Sequence, residues 1–289
     1  MKHKNFACFI LSHGRAKNIK TISALKKCGY TGKYYIIIDN EDDQEEEYRK
    51  KYQDKIIQFD KIKASEYTDT LSPSKKRNAV VFARNECHKI AKKLGLEYFL
   101  ELDDDYNDFN MRYFEDGILK SISISRLDDV FDIYLDFLDC SNAVTVAMAQ
   151  GGDFIGGTNA FVWKHRISRK AMNSFFCRTD RPFKFLGLTN EDVNAYCLLG
   201  SQGNLFFTVS YASIQQEETQ KAAGGLTDIY LQDGTYVKSF YTVMIMPSAV
   251  KVHRMGVNNA RMHHRVNWEL CVPKILNECY KKRSEMNAE

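Results

Sequence analysis

The feature that most restricts the fold is a repeated alternation: an apolar run, a polar stop, then apolar residues at helical spacing. NFACFILS (Asn5 to Ser12) stops on His13-Gly14-Arg15 and is followed by Ile19, Ile22 and Leu25. KYYIIIDN (Lys33 to Asn40) stops on Asp39-Asn40, KIIQF (Lys55 to Phe59) is a shorter run, and EYFLEL (Glu97 to Leu102) runs into Asp103-Asp104-Asp105. Before that last run, Ser72-Pro73 reads as a helix start with proline in the first turn. Val80, Ala83, Cys87, Ala91 and Leu94 then share one face, and Gly95 ends the helix. Continuous apolar strands in β-α-β order predict a parallel sheet covered by helices on both faces. Ligands of such sheets sit beyond the carboxyl ends of the strands, where all three polar stops fall.

The later chain is more mixed. AVTVAMAQ (Ala143 to Gln150), NLFFTVSYASI (Asn204 to Ile214) and SAVKVHRM (Ser248 to Met255) read as strands. Ser125 and Asp128 have capping-box spacing ahead of a stripe of Leu127, Phe131, Tyr134, Leu135 and Leu138. TQKAAGGLTD (Thr219 to Asp228) has the small, polar composition of a mobile loop, and His263-His264 also falls in an apparent loop. No repeat or interdomain linker interrupts the 289 residues, so one domain is expected.

Three consecutive aspartates behind a buried strand are costly unless something compensates them. A divalent cation does so, because Mg²⁺ and its relatives take carboxylate oxygens and share them with substrate phosphates. Asp103 and Asp105, two apart on an extended segment, point to one side and can converge on a cation, while Asp104 faces away. Neither G-x-G-x-x-G nor G-x-x-x-x-G-K-[ST] is present, so the usual dinucleotide and P-loop readings drop out. Strand-end polar groups are left to meet a nucleotide, through a metal at its phosphates.

LGLTNEDVNAYCLLG (Leu186 to Gly200) places Asn190, Glu191 and Asp192 at a helix start. Capping explains acids there, since they suit the macrodipole; a general base aimed at an acceptor hydroxyl explains them as well, and one acid can cap while another catalyses. Asp153, between two Gly-Gly pairs, is a further candidate carboxylate. His253 and His263-His264 are the imidazoles available to a metal, and no H-E-x-x-H motif suggests a zinc hydrolase.

Net charge is only +4, but it is unevenly spread. Lys164 to Lys184 holds seven Lys/Arg and one acid, and Lys251 to Arg265 holds four Lys/Arg, three His and no acid. Such stretches can track a phosphate backbone. The eight cysteines have no C-x-x-C spacing and lie mostly in apolar stretches, as expected of a reducing compartment. The apolar run of MKHKNFACFIL breaks at SHGR, too short for a signal peptide or membrane span, so a cytoplasmic protein is expected.

The set SHGRA, IIIDNEDD, ARNEC, FLELDDDY, AQGGDFIGG, NEDVN and KSFYTVM resembles a phage-centred family of GT-A-type glycosyltransferases associated with TET/JBP-type oxygenases, which make hydroxymethylated pyrimidines in DNA. The resemblance extends from about Phe6 to Trp268. It implies a GT-A-like α/β domain over residues 1–289: a Rossmann-like, mixed-sheet half (1–110) for a nucleotide sugar and an acceptor half (111–289). It further implies a UDP-sugar donor, Mn²⁺ or Mg²⁺, an acceptor hydroxyl on modified DNA and, for a phage protein, the host cytoplasm without membrane association.

On this basis Ser12, His13, Gly14, Arg15, Asp39, Asn40, Arg84, Asp103 and Asp104 are expected at the nucleotide sugar. Asp103, Asp105 and, by analogy with other GT-A enzymes, His253 are expected at the metal. Asp192, then Glu191 and Asp153, are expected in catalysis, and Lys164, Arg166, Arg169 and Lys170 on DNA. A protein or glycan acceptor, or a noncatalytic DNA- or nucleotide-binding module, are the rival expectations.

Overall fold

The computed structural model describes residues 1–72, 77–164, 167–216, 238–255, 261–271 and 278. The first half runs β1 (Phe6–Leu11), α1 (Lys20–Lys27), β2 (Lys33–Asp39), α2 (Glu45–Tyr52), β3 (Ile56–Phe59), α3 (Lys61–Glu66), α4 (Val81–Lys93) and β4 (Tyr98–Asp103). It continues through β5 (Tyr106–Glu115), β6 (Ile118–Ser123), α5 (Leu127–Ser141), β7 (Thr145–Ala149), α6 (Phe161–Lys164), β8 (Ile167–Ser168), β9 (Phe175–Arg178), α7 (Glu191–Ser201) and β10 (Phe206–Gln216). A helix over 238–245 (α8), β11 (Val250–Met255), β12 (Arg261–Val266) and α9 (Trp268–Cys271) follow.

One sheet in the order β3-β2-β1-β4-β9-β7-β10-β5-β6, with β8 beside β10, carries the fold, and β11–β12 form a separate ribbon. β1, β2, β3 and β4 are mutually parallel, as their apolar runs predict. Those runs are continuous because both faces are covered. Cys8 and Ile10 face α1 and α5 in one core, whereas Ala7, Phe9 and Leu11 face α4 and α7 in the other. The fold is therefore α/β with helices on both faces, and the sheet as a whole is mixed, as the resemblance implies: β9 enters antiparallel between β4 and β7.

Three local expectations are corrected. α4 begins at Val81, not at Ser72-Pro73; Pro73 lies outside the described residues, and Arg77 instead reaches across to Glu41. Asp128 caps no helix, because its carboxylate accepts the Thr31 amide at 3.0 Å. His263-His264 lies in β12, where His263 stands opposite His253, rather than in a loop. Thr219 to Asp228 lies outside the described residues.

The β5–β6 hairpin is an addition to the sequence reading. Its turn is Asp116-Gly117, both with positive φ (51° and 75°), as a two-residue hairpin loop matched to the strand twist requires. β10 shifts register between Val209 and Ser213, pairing its first part with β7 and its later part with β5. That bend brings Tyr106, at the start of β5, against the end of β10, so the turn Asp103-Asp104-Asp105 is held from both sides.

Candidate active site

The ends of β1, β2, β4 and β7 converge on one edge of the sheet. Thr21, in the first turn of α1, fastens the aspartate turn there. Its hydroxyl donates to the Asp103 carbonyl at 2.6 Å and accepts the Tyr106 amide at 3.0 Å. Asp104 and Asp105 form the turn between β4 and β5 rather than an extended segment, and Asp103 and Asp104 go to different partners. Asp104 is buried, accepting from Ser12 Oγ at 2.6 Å and from Arg15 Nη1 at 2.6 Å. Burial raises its pKa, and Arg15 only partly counters this. The Tyr48 hydroxyl completes the knot, 2.7 Å from Ser12 Oγ and accepting the Arg15 amide at 2.9 Å.

Beside it, Asp39 accepts from His13 Nδ1 at 2.8 Å and from Lys61 Nζ at 3.1 Å. Burial works against the carboxylate, but His13 and Lys61 outweigh it and hold Asp39 below its ordinary range; Asp39 in turn raises His13. Asp42 accepts the Gly14 amide at 2.8 Å, and the Asn40 side chain accepts the Lys61 amide at 2.9 Å. Ser12, His13, Gly14, Arg15, Asp39, Asn40 and Asp104 are thus brought together. Half-exposed His13 and exposed Asn40 remain open to a ligand.

Asp105 is pushed up to about 6, first by burial and then by Asp103 and Asp104. A cation relieves this strain. Among the described residues no three His, Cys, Asp or Glu side chains converge on a metal-sized site. Two carboxylates with open coordination positions fit Mg²⁺ or Mn²⁺, which retain waters and take substrate phosphates. His253, exposed on β11, is not brought into a cluster with them.

Arg84 departs most from expectation. Its side chain is 2% exposed, so it has no face to offer a nucleotide. It lies beneath the site, donating through Nη2 to Asp103 at 2.9 Å and through Nε to Glu191 at 3.1 Å, with Nη1 3.5 Å from Glu101. The rings of Phe175 and Phe185 flank the guanidinium. Glu101 itself is fully buried, and burial raises it to about 8 despite Arg84. An acid inside the apolar run EYFLEL is a sequence signal for such a buried partner.

Glu191 and Asp192 open α7, as NEDVN predicts. Asn190 precedes them in a left-handed conformation and donates to the Lys238 carbonyl of α8 at 2.8 Å. Glu191 is committed to Arg84. Among the described residues Asp192 has no salt-bridge partner, and its Oδ1 accepts the adjacent Val193 amide at 2.7 Å. Burial, then the Glu191 charge, raise Asp192 to about 7, where a carboxylate works well as a general base. Asp153 has different work: it pairs with Lys170 and accepts the Gln150 amide, closing a capping box.

The expected DNA residues do not form one free patch. Lys170 is the partner of Asp153, and the Arg169 guanidinium lies over the Phe207 ring. Arg166 lies outside the described residues, and Lys164 ends α6. Farther along, Arg178 pairs with Asp139 and Asp180, and Arg181 donates to the Leu138 and Ala143 carbonyls. Among the described residues no helix is long and apolar enough to cross a membrane.

In three dimensions the chain is similar to a mycobacterial protein (TM-score 0.49, 8% identity, covering 92% of this chain and 85% of that one). It is also similar to glucosyl-3-phosphoglycerate synthase from Mycobacterium tuberculosis, solved with Mn²⁺, UDP-glucose and phosphoglyceric acid (TM-score 0.47, 9% identity, 93% and 91% covered). The same enzyme with Mg²⁺ and UDP gives a TM-score of 0.42 at 10% identity, with 93% and 92% covered. No curated protein matches the sequence significantly. The TET-associated glycosyltransferase family, however, matches residues 6–225, well over half of the chain, and the protein belongs to that family.

Proposed function

We propose that this glycosyltransferase moves a sugar from a UDP-sugar to the hydroxyl of a 5-hydroxymethylated pyrimidine in DNA. The carrying observation is the pairing, on one sheet edge, of a cation-seeking Asp105 beside Asp103 with a buried, near-neutral Asp192 at the start of α7. Asp39, His13 and Asn40 receive the nucleoside, and Arg15 stands beside the diphosphate. Asp103 and Asp105 hold Mn²⁺ or Mg²⁺, which when bound stabilises negative charge on the departing diphosphate. Asp192 accepts the proton of the acceptor hydroxyl as its oxygen bonds to the anomeric carbon and UDP leaves.

The DNA surface in this proposal moves to the β11–β12 ribbon. Its register sets Lys251 opposite Arg265 and His253 opposite His263, and Lys251, His253, Arg254 and Arg265 are exposed. Like charges directly opposite destabilise a ribbon, and an anionic backbone offsets that cost. A base in duplex must leave the stack to reach Asp192.

The test is calorimetry of UDP with and without Mn²⁺, followed by mass analysis of nucleosides from hydroxymethylated DNA incubated with UDP-sugars. Metal-dependent UDP binding and a glycosylated nucleoside are expected; metal-independent binding, or unmodified nucleosides across the sugars, overturns the proposal.

A further inference from the structure

Arg84 is placed where neither donor nor acceptor reaches it, yet it touches residues serving both. Asp103 is on its donor side at 2.9 Å, and Glu191, adjacent to Asp192, is on its acceptor side at 3.1 Å. The side chain is sealed from water and lies against the rings of Phe175 and Phe185. Burial opposes its charge, but Asp103, Glu191 and Glu101 outweigh burial, so it stays protonated. One charge in a low-dielectric site is therefore divided between two carboxylates that belong to different halves of the reaction. In such a site interactions are much stronger than in water, so a change at one carboxylate is felt at the other.

We infer that Arg84 is a positioning residue that makes donor binding order the acceptor side. When a metal–diphosphate engages Asp103, that carboxylate attracts the guanidinium less, and the cation's own charge repels it. The freed attraction passes to Glu191 and tightens the first turn of α7, which carries Asp192. Linkage makes the effect reciprocal: an acceptor that settles α7 favours the donor. This deepens the proposed function and rests on it.

Hydrogen exchange reads the coupling without turnover. The Asn194 amide, bonded to the Asn190 carbonyl at 2.8 Å, reports the first turn of α7. In wild type, UDP with Mn²⁺ is expected to slow its exchange about fivefold or more, the lower end of common coupling factors. Arg84→Lys keeps the charge but lacks a fork spanning both carboxylates; by calorimetry it should still bind UDP with Mn²⁺, with no donor-induced slowing. If that variant does not fold, Glu191→Gln cuts the acceptor arm alone and should give the same result. A merely structural Arg84 would change protection equally with and without donor. Undiminished slowing in a variant that binds, or none in a wild type that binds, overturns the inference alone. A wild type that binds no UDP with Mn²⁺ overturns the donor assignment and this inference together.

Discussion

Asp103 and Asp105, the two proposed metal ligands, bear opposite relations to the fold. Asp103 supplies a partner to a buried arginine, whereas Asp105 is crowded by like charges and by burial. Asp103→Asn and Asp105→Asn should each abolish metal-dependent UDP binding. Without metal, Asp103→Asn should lower stability by about 1–3 kcal/mol, the cost of leaving a buried donor poorly paired, and Asp105→Asn should raise the melting temperature at pH 8. Equal shifts in melting temperature would refute this division. Asp192 adds a pH dependence. Its proton must be gone for it to act as base, so single-turnover transfer should rise through about pH 7 and level off above it. Stability runs the other way. The unfolded carboxyl ionises first, so folding stability is lost as pH climbs from the usual carboxylate range to about 7, and buried Glu101 extends the loss to about 8. Asp192→Asn should flatten the rate profile and cost most of the roughly 10²–10⁴-fold that a placed base supplies, while UDP binding persists. A variant turning over at wild-type rate would move the role to another group.

At the scale of elements, α7 is set by the turn before it. Gly187 has φ near 92°, and a Cβ there would lie 2.6 Å from Asn194 Nδ2. That amide group clamps the turn by donating to the Leu186 and Thr189 carbonyls. Gly187→Ala should therefore cost about 1–2 kcal/mol for the left-handed backbone alone, more with the clamp displaced. Because the turn aims Glu191 and Asp192 while the donor side rests on β1, β2 and β4, transfer should fall much further than UDP affinity. Parallel losses in the two measurements would contradict this separation.

For the molecule as a whole, charge is arranged rather than abundant. Among the described residues of 164–184, Lys170, Arg178 and Arg181 are engaged within the fold, whereas the ribbon exposes Lys251, Arg254 and Arg265. Replacing Lys251 and Arg265 together with Ala should weaken DNA binding and reduce its log–log salt slope by about 1.8, close to 0.9 per phosphate contact. Lys170→Ala should act differently: it strands partly buried Asp153, lowering the melting temperature with little change in slope. An unaltered slope in the ribbon variant would favour a protein or glycan acceptor.

The sequence by itself determined the four parallel strands, the aspartates at the end of β4 and the helix that NEDVN opens, because burial on both faces and strand alternation are local properties. Alternation did not extend to Asp104 and Asp105, because the chain turns there between β4 and β5. The β5–β6 hairpin was missed although Asp116-Gly117 is its signal, because its strands lack a regular alternation. Only the tertiary structure decided which charges meet. Arg84 and Glu191 are 107 positions apart, and Lys170 and Asp153 are 17 apart with α6 and β8 between them. Nothing in a helical pattern tells a surface arginine from one sunk between two phenylalanines. Lys164 to Lys184 looks like a basic face when its charges are counted along the chain. Among its described residues, Lys170 and Arg178 are taken out of that face by Asp153 and Asp139, since pairing is a matter of distance in space and sequence spacing does not report it.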